Sequence, residues 1–285
     1  MTSQAIQIVG KGSSTYPSSL LDLAAPPDPL FAIGDLETLK KPLVSIVGTR
    51  NATSYGLRTA RAIATAFVKQ GFAVVSGLAR GIDAASHRAA LDSGGATIAV
   101  LGTGVDVPYP VGHAELHRVI GERGLVLSES PPGAHAHQGA FPKRNRIIAA
   151  LSPLTIVVEC GHKSGAQNTA RHVMALDRLL AAVPGPIDSP QSQGTNQLLR
   201  DGAHIIATVE DALVLAGVRD VRQAEPVQLD QRDARVWSAI GVETLNVDEI
   251  SFRSQLETRE CLSAITSLEL AGMVESLVTG EVRRR

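Results

Sequence analysis

Aromatic side chains make up only 3% of this 285-residue chain, which excludes a recognition surface built from many stacking rings. Cysteine is rarer still. Cys160 and Cys261 stand far apart and belong to no C-x-x-C pair or metal-ligand spacing. No apolar run nears the roughly 18 residues of a membrane span, and the start of the chain lacks the basic-then-apolar layout of a signal peptide. The expectation is a cytoplasmic protein with reduced thiols and no membrane partner. Its 44% apolar content supplies the core, and a chain this long buries about three-quarters of its unfolded surface without a staple. Neither G-x-G-x-x-G nor G-x-x-x-x-G-K-[ST] occurs, which argues against a dinucleotide cofactor and P-loop hydrolysis. His113 and His117 are four apart, but Glu115 between them is in the wrong register for H-E-x-x-H, so no metal is expected. There is no G-x-S-x-G elbow and no paired carboxylate near the candidate loops. No catalytic residue is assigned, and no cofactor is expected.

The 27 Lys and Arg nearly balance 28 Asp and Glu, for a net charge of −1. Their placement is uneven. From Thr38 to Ile82 there is no acid, yet Lys40, Lys41, Arg50, Arg58, Arg61, Lys69 and Arg80 all occur. Acids vanish again between Ser130 and Val158, where Lys143, Arg144 and Arg146 cluster. Local positive potential, rather than net charge, draws phosphate to a cleft.

Residues 1–42, punctuated by five prolines, read as an extended irregular arm packed on the main domain. Over 43–217, near-continuous apolar runs such as Leu43–Val47, Thr97–Leu101 and Leu154–Val158 alternate with helical patterns such as Gly56–Gln70, Ile82–Ser93 and Arg144–Leu151. Runs apolar on both faces indicate buried strands. Strand–helix alternation then predicts an α/β, Rossmann-like doubly wound, mostly parallel sheet. Residues 218–228 read as a linker. The remainder, 229–285, shows three helical patterns and then two short strands about Thr279-Gly280, which suggests a small winged helix or, alternatively, a four-helix dimerisation cap.

Ligands of open parallel sheets bind beyond the carboxyl ends of the strands, so the loops there hold the candidates. In Gly48-Thr49-Arg50, the glycine permits close backbone approach and the guanidinium can fork onto phosphate. Ser76-Gly77-Leu78-Ala79-Arg80-Gly81 is a glycine-rich turn into a helix whose amides would face an anion. Asp83 beyond it suits a cap on loop or helix amides. Phe141-Pro142-Lys143-Arg144-Asn145-Arg146 puts cations at a helix start, against the helix dipole, and Phe141 offers a face to a base. Lys163-Ser164-Gly165 is a further anion seat at a helix start.

The strings Val47-Gly48-Thr49-Arg50, Ser76 to Asp83, Phe141 to Ile148 and Gly194-Thr195-Asn196-Gln197 resemble the bacterial DprA/Smf family, DNA-processing protein A. That resemblance implies a non-enzymatic homodimer that binds single-stranded DNA and loads RecA onto it during natural transformation. It carries the DNA pocket onto Arg50, the Ser76-Gly77 loop, Phe141, Arg144, Asn145, Arg146 and the Ser164-Gly165 turn. The alternative is a nucleoside-monophosphate phosphoribohydrolase-like enzyme in the same pocket, although the P-G-G-x-G-T-x-x-E signature of those enzymes is missing. Residues 229–285 carry ten acids against seven arginines, a net of −3, so this module is expected to bind protein rather than DNA.

Overall fold

The computed structural model describes residues 5–137, 139–162, 164–219, 229–241, 243–277 and 279–284. The chain divides into two compact units, Met1–Val221 and Arg222–Arg285. Most of the linker, 220–228, lies outside the described residues.

Strands of the first unit form where the apolar runs are continuous. β1 (Gln7–Val9) and β2 (Leu30–Gly34) come first. β3 (Leu43–Val47), β4 (Ala73–Ser76), β5 (Thr97–Leu101), β6 (Leu125–Ser128) and β7 (Leu154–Val157) are buried at every residue. β8 (Leu179–Ala182) and β9 (His204–Ile205) complete the set. The sheet runs β1-β2-β6-β5-β4-β3-β7-β8-β9, with β6 to β9 all parallel and β1 and β2 antiparallel at one edge.

Helices cover both faces, as full burial of the strands requires. α1 (Ser54–Lys69) starts where the Thr53 hydroxyl accepts from the Gly56 amide, and its Ala60, Ile63, Ala64 and Phe67 form one buried stripe. With α2 (Ile82–Asp92) it packs against Val44, Ile46, Val74 and Ile156. On the other face, α4 (Ala140–Leu151) and α5 (Gly165–Ala175) pack on Val47, Val75, Val100 and Val157. α3 (Ala114–Arg123) lies on β5 and β6, α6 (Gln193–Arg200) on β8, and α7 (Val209–Leu215) beside α1.

One expectation fails here. The segment 1–42, expected as an irregular arm, contributes residues 7–9 and 30–34 to the sheet as β1 and β2. Ile8 pairs with Phe31, and Ala32 pairs with Leu127 of β6. Its strands are short and separated by prolines, so their alternation is too brief to register as a period in sequence. The second unit holds α8 (Gln231–Ile240), β10 (Leu245–Asn246), α9 (Val247–Ser254), α10 (Thr258–Leu270), β11 (Val274–Ser276) and β12 (Glu281–Arg284). Its sheet order is β10-β12-β11, over a core that includes Val236, Ile240, Ile250, Ile265, Leu268 and Val282. Three helices and a hairpin match the winged-helix expectation, with β10 as an additional strand.

Candidate functional site

Chain order reverses between β3 and β7: β3, β4, β5 and β6 are laid down in one direction, and the chain then returns to the other side of β3. A crevice forms outside the carboxyl ends of strands at such a reversal. It measures about 900 Å³ and is lined by the loops after β3 and β7 and by the first turns of α4 and α5. A second pocket of about 510 Å³ adjoins it, sharing Arg50, Ala79, Phe141 and Arg144.

The loop after β3 is held from below. A Cβ on Gly48 would stand 2.5 Å from Ile82 Cγ1 and 2.9 Å from the Glu159 carbonyl oxygen, so only glycine fits. The Thr49 amide donates to the Glu159 carbonyl at 2.7 Å. Glu159 is 3% exposed, and its carboxylate accepts from the Thr53 amide at 2.9 Å and the Thr53 hydroxyl at 2.5 Å. With both loop ends pinned, Arg50 and Asn51 are left exposed at the crest. Glu159 looked isolated in the sequence because its partner lies 106 residues away.

In the glycine-rich loop after β4, two amides turn inward to a carboxylate of the chain itself. Asp83 accepts from the Gly77 amide at 3.1 Å and the Ala79 amide at 3.3 Å, so the loop's own carboxylate occupies the donors. Arg144 grips the same loop from the other side, donating to the Gly77 carbonyl at 2.7 Å and to the Val100 carbonyl. Both side chains are buried. Burial raises the Asp83 carboxyl above its usual range, and Arg144 and the loop amides act against that rise. Burial lowers Arg144 to about 10, against the pull of Asp83. Arg144 is therefore a buried clamp at the wall of both pockets, with Nη1 on the two carbonyls and Nε without a hydrogen-bond partner among the described residues. Gly81 takes φ +76°, and a Cβ there would collide with the Thr49 carbonyl oxygen, which ties this loop to the first.

The expected conflict between cations and a helix dipole is also corrected. α4 starts at Ala140, so Lys143, Arg144 and Arg146 fall at and beyond the end of its first turn, where the dipole has faded. Pro142 sits inside that turn, where its missing N–H costs nothing. Arg146 donates to the Glu129 carboxylate at 2.5 Å and the Ala25 carbonyl at 2.9 Å, and Lys143 pairs with Glu129 at 3.2 Å. These two bind α4 to its surroundings and do not line either pocket. Ser76 is fully buried and donates to the Ile46 carbonyl at 2.6 Å, likewise away from the crevice.

The remaining candidates do converge. Phe141 is half-buried against Tyr109, with ring centroids 5.0 Å apart at 35°, and the Arg50 guanidinium lies 5.7 Å from the Phe141 ring centre. Ser164 caps α5, accepting from the Ala166 amide at 3.3 Å. Asn145 donates to the Gly165 carbonyl at 3.3 Å and to Asn168 Oδ1 at 3.1 Å, locking the crevice wall. Gly48, Arg50, Phe141, Arg144, Asn145, Ser164 and Gly165 line the crevice, and Gly77 and Arg80 line the second pocket. Lys163 lies outside the described residues. Asn51, Asn168 and Tyr109 also line these pockets; isolated amides and a lone ring carry no sequence pattern that marks them. Among the lining residues Asp83 is the one carboxylate, and it is already engaged. No cluster of His, Cys, Asp or Glu suited to a metal occurs among the described residues. Nor is any described helix long and apolar enough to cross a membrane.

Comparison with known proteins agrees with this layout. Residues 7–217 match the family described as DNA recombination-mediator protein A, and residues 221–278 match the DprA winged helix domain. A DprA-type relative from Mycobacterium tuberculosis is 40% identical over 256 residues, covering 86% of this chain but 66% of its own length. The chain thus spans just under two thirds of that relative. The crystal structure of DNA processing protein A from Streptococcus pneumoniae superposes with a TM-score of 0.70 at 38% identity, covering 75% of this chain and 74% of that one. DNA processing protein A from Helicobacter pylori, solved for its mode of binding single-stranded DNA, gives a TM-score of 0.68 at 30% identity, over 74% and 95% of the two chains. The extent of the family match, the paired domains and the shared fold lead to one assignment: the chain belongs to the DprA/Smf family.

Proposed function

We propose that this protein is a cytoplasmic recombination mediator that holds single-stranded DNA in the crevice at the β3–β7 reversal and presents it to RecA, acting as a homodimer in natural transformation. The observation that carries the reading is the Arg50 guanidinium, exposed and without an ion-pair partner among the described residues, beside the Phe141–Tyr109 rings. A cation next to ring faces suits a strand whose phosphates and unpaired bases are both on offer. Membership of a recombination-mediator family and the strand-binding relative from Helicobacter pylori support the same reading. A hydrolase would need a free carboxylate or other general base near the scissile bond. Asp83 instead accepts from loop amides beside Arg144, which supports binding over cleavage. The acidic second unit is proposed to contact protein.

The test is a salt-series titration of oligo-dT against matched duplex. Binding of the single strand should weaken with salt, with a slope of about −0.7 per phosphate held, and exceed duplex binding. Equal affinity for the duplex would overturn the assignment. Unchanged RecA filament formation in the presence of the protein would remove the RecA part, and a monomer by light scattering would remove the dimer. Release of free base from AMP would support the hydrolase instead.

A further inference from the structure

A third pocket, of about 290 Å³, continues from the second along the seam between α1 and α2. Arg50 lines all three pockets, and Arg88 and His113 line both the second and the third. Arg61 of α1 and Arg88 of α2 both line the third pocket. Arg50, Arg61 and Arg88 are exposed, and none has an ion-pair partner among the described residues. By contrast, Arg118, Arg146 and Arg178 are each paired with a carboxylate. No Asp or Glu lines the second or third pocket. Three guanidiniums set around one concavity without a counter-charge repel one another and focus positive potential there. Such a local conflict is relieved when an anion arrives.

The lining also tells which part of a nucleotide fits. Apart from His113, whose Nδ1 is bonded to the Leu78 carbonyl at 3.0 Å, no ring lines this pocket. It offers guanidiniums and the Asn51 amide but no stacking platform, chemistry that suits a sugar–phosphate chain rather than a base. We propose that the third pocket extends the DNA path: a strand leaving the crevice past Arg50 lays two further phosphates against Arg61 and Arg88. The inference rests on the single-strand reading above and adds a footprint longer than the crevice itself.

The experiment compares the full chain with Arg61→Ala/Arg88→Ala, using oligo-dT of about 6 and about 20 nucleotides, lengths bracketing common single-strand footprints. Arg171→Ala/Arg200→Ala removes the same charge from exposed positions outside these pockets and serves as the control. For the long oligonucleotide, losing two contacts should lower the salt slope by about 1.4, so the affinity lost between 50 and 200 mM salt shrinks about sevenfold. The control should behave as the unsubstituted chain does, and the short oligonucleotide should lose less of its slope than the long one, since Arg88 also lines the second pocket. Arg61→Lys/Arg88→Lys should restore the slope, since lysine still neutralises phosphate as a point charge. The path is overturned if the unsubstituted chain binds the long strand and the double alanine variant keeps its slope. An equal loss in the control, or displacement of the strand by a mononucleotide at matched ionic strength, overturns it too, the latter by making this a free-nucleotide seat. Absence of binding by the unsubstituted chain at either length is a different result, because it removes the single-strand reading itself.

Discussion

Two arginines that look equivalent in sequence should fail in opposite ways. Arg144→Met removes the donors to the Gly77 and Val100 carbonyls and leaves Asp83 buried without its opposing charge. Hydrogen bonds from a charged donor are worth about 1.5–3 kcal/mol each, so losing these two costs about 3–6 kcal/mol. The first unit spans Met1–Val221, a size at which each kcal/mol moves the midpoint of thermal unfolding by about 2–4 °C. The expected drop is therefore about 6–24 °C, read by calorimetry. Because Asp83 and Arg144 hold the same loop, a double-mutant cycle with Asp83→Asn should show coupling of about 0.5–3 kcal/mol. Strand affinity falls as well, through distortion of the Gly77 loop. Arg50→Ala should leave the midpoint unchanged, since Arg50 is exposed and has no ion-pair partner among the described residues. Its single-strand salt slope should fall by about 0.7, the value of one phosphate. A thermal shift under about 2 °C for Arg144→Met, with no coupling to Asp83, would refute the clamp.

Phe141→Ala should raise the oligo-dT dissociation constant roughly 5- to 150-fold, the equivalent of about 1–3 kcal/mol for one stacked base, and a value within twofold of wild type discards the stacking role. His87 is fully buried, its Nδ1 2.7 Å from the Thr97 hydroxyl, and burial followed by the charges of Arg144, His113 and Arg88 holds it down at about 3. Its neutral folded form contributes stability that is fully present above pH 6.5 and is lost as pH falls towards 3, at up to about 1.4 kcal/mol per unit. Urea unfolding should show a shallower acid limb for His87→Gln, and parallel limbs contradict this assignment. Ending the chain after Gly217 should leave oligo-dT affinity within tenfold, as the acidity of the second unit implies; a larger loss gives that unit a direct part in holding DNA.

Local rules determined much of this protein. Continuous apolar runs such as Leu43–Val47 and Thr97–Leu101 have one stable solution in a chain of alternating elements, a parallel sheet covered on both faces. Glycines 48, 77 and 165 and Arg50 marked the carboxyl-end loops, and the fold brings them to one place. The short β1 and β2 are not legible in the sequence, because three to five residues carry too little periodicity to set against prolines. Tertiary structure alone decided which charges are free. Lys143, Arg144, Asn145 and Arg146 are neighbours in sequence, yet one helix turns them to different surroundings: Glu129 for Lys143 and Arg146, buried carbonyls for Arg144, the α5 turn for Asn145. Arg61 and Arg88 lie 27 positions apart in the chain and share a pocket only because α1 and α2 pack side by side. Whether a cation meets solvent, a carboxylate or a ligand depends on distances of a few ångströms between remote segments, and the order of residues does not encode those distances locally.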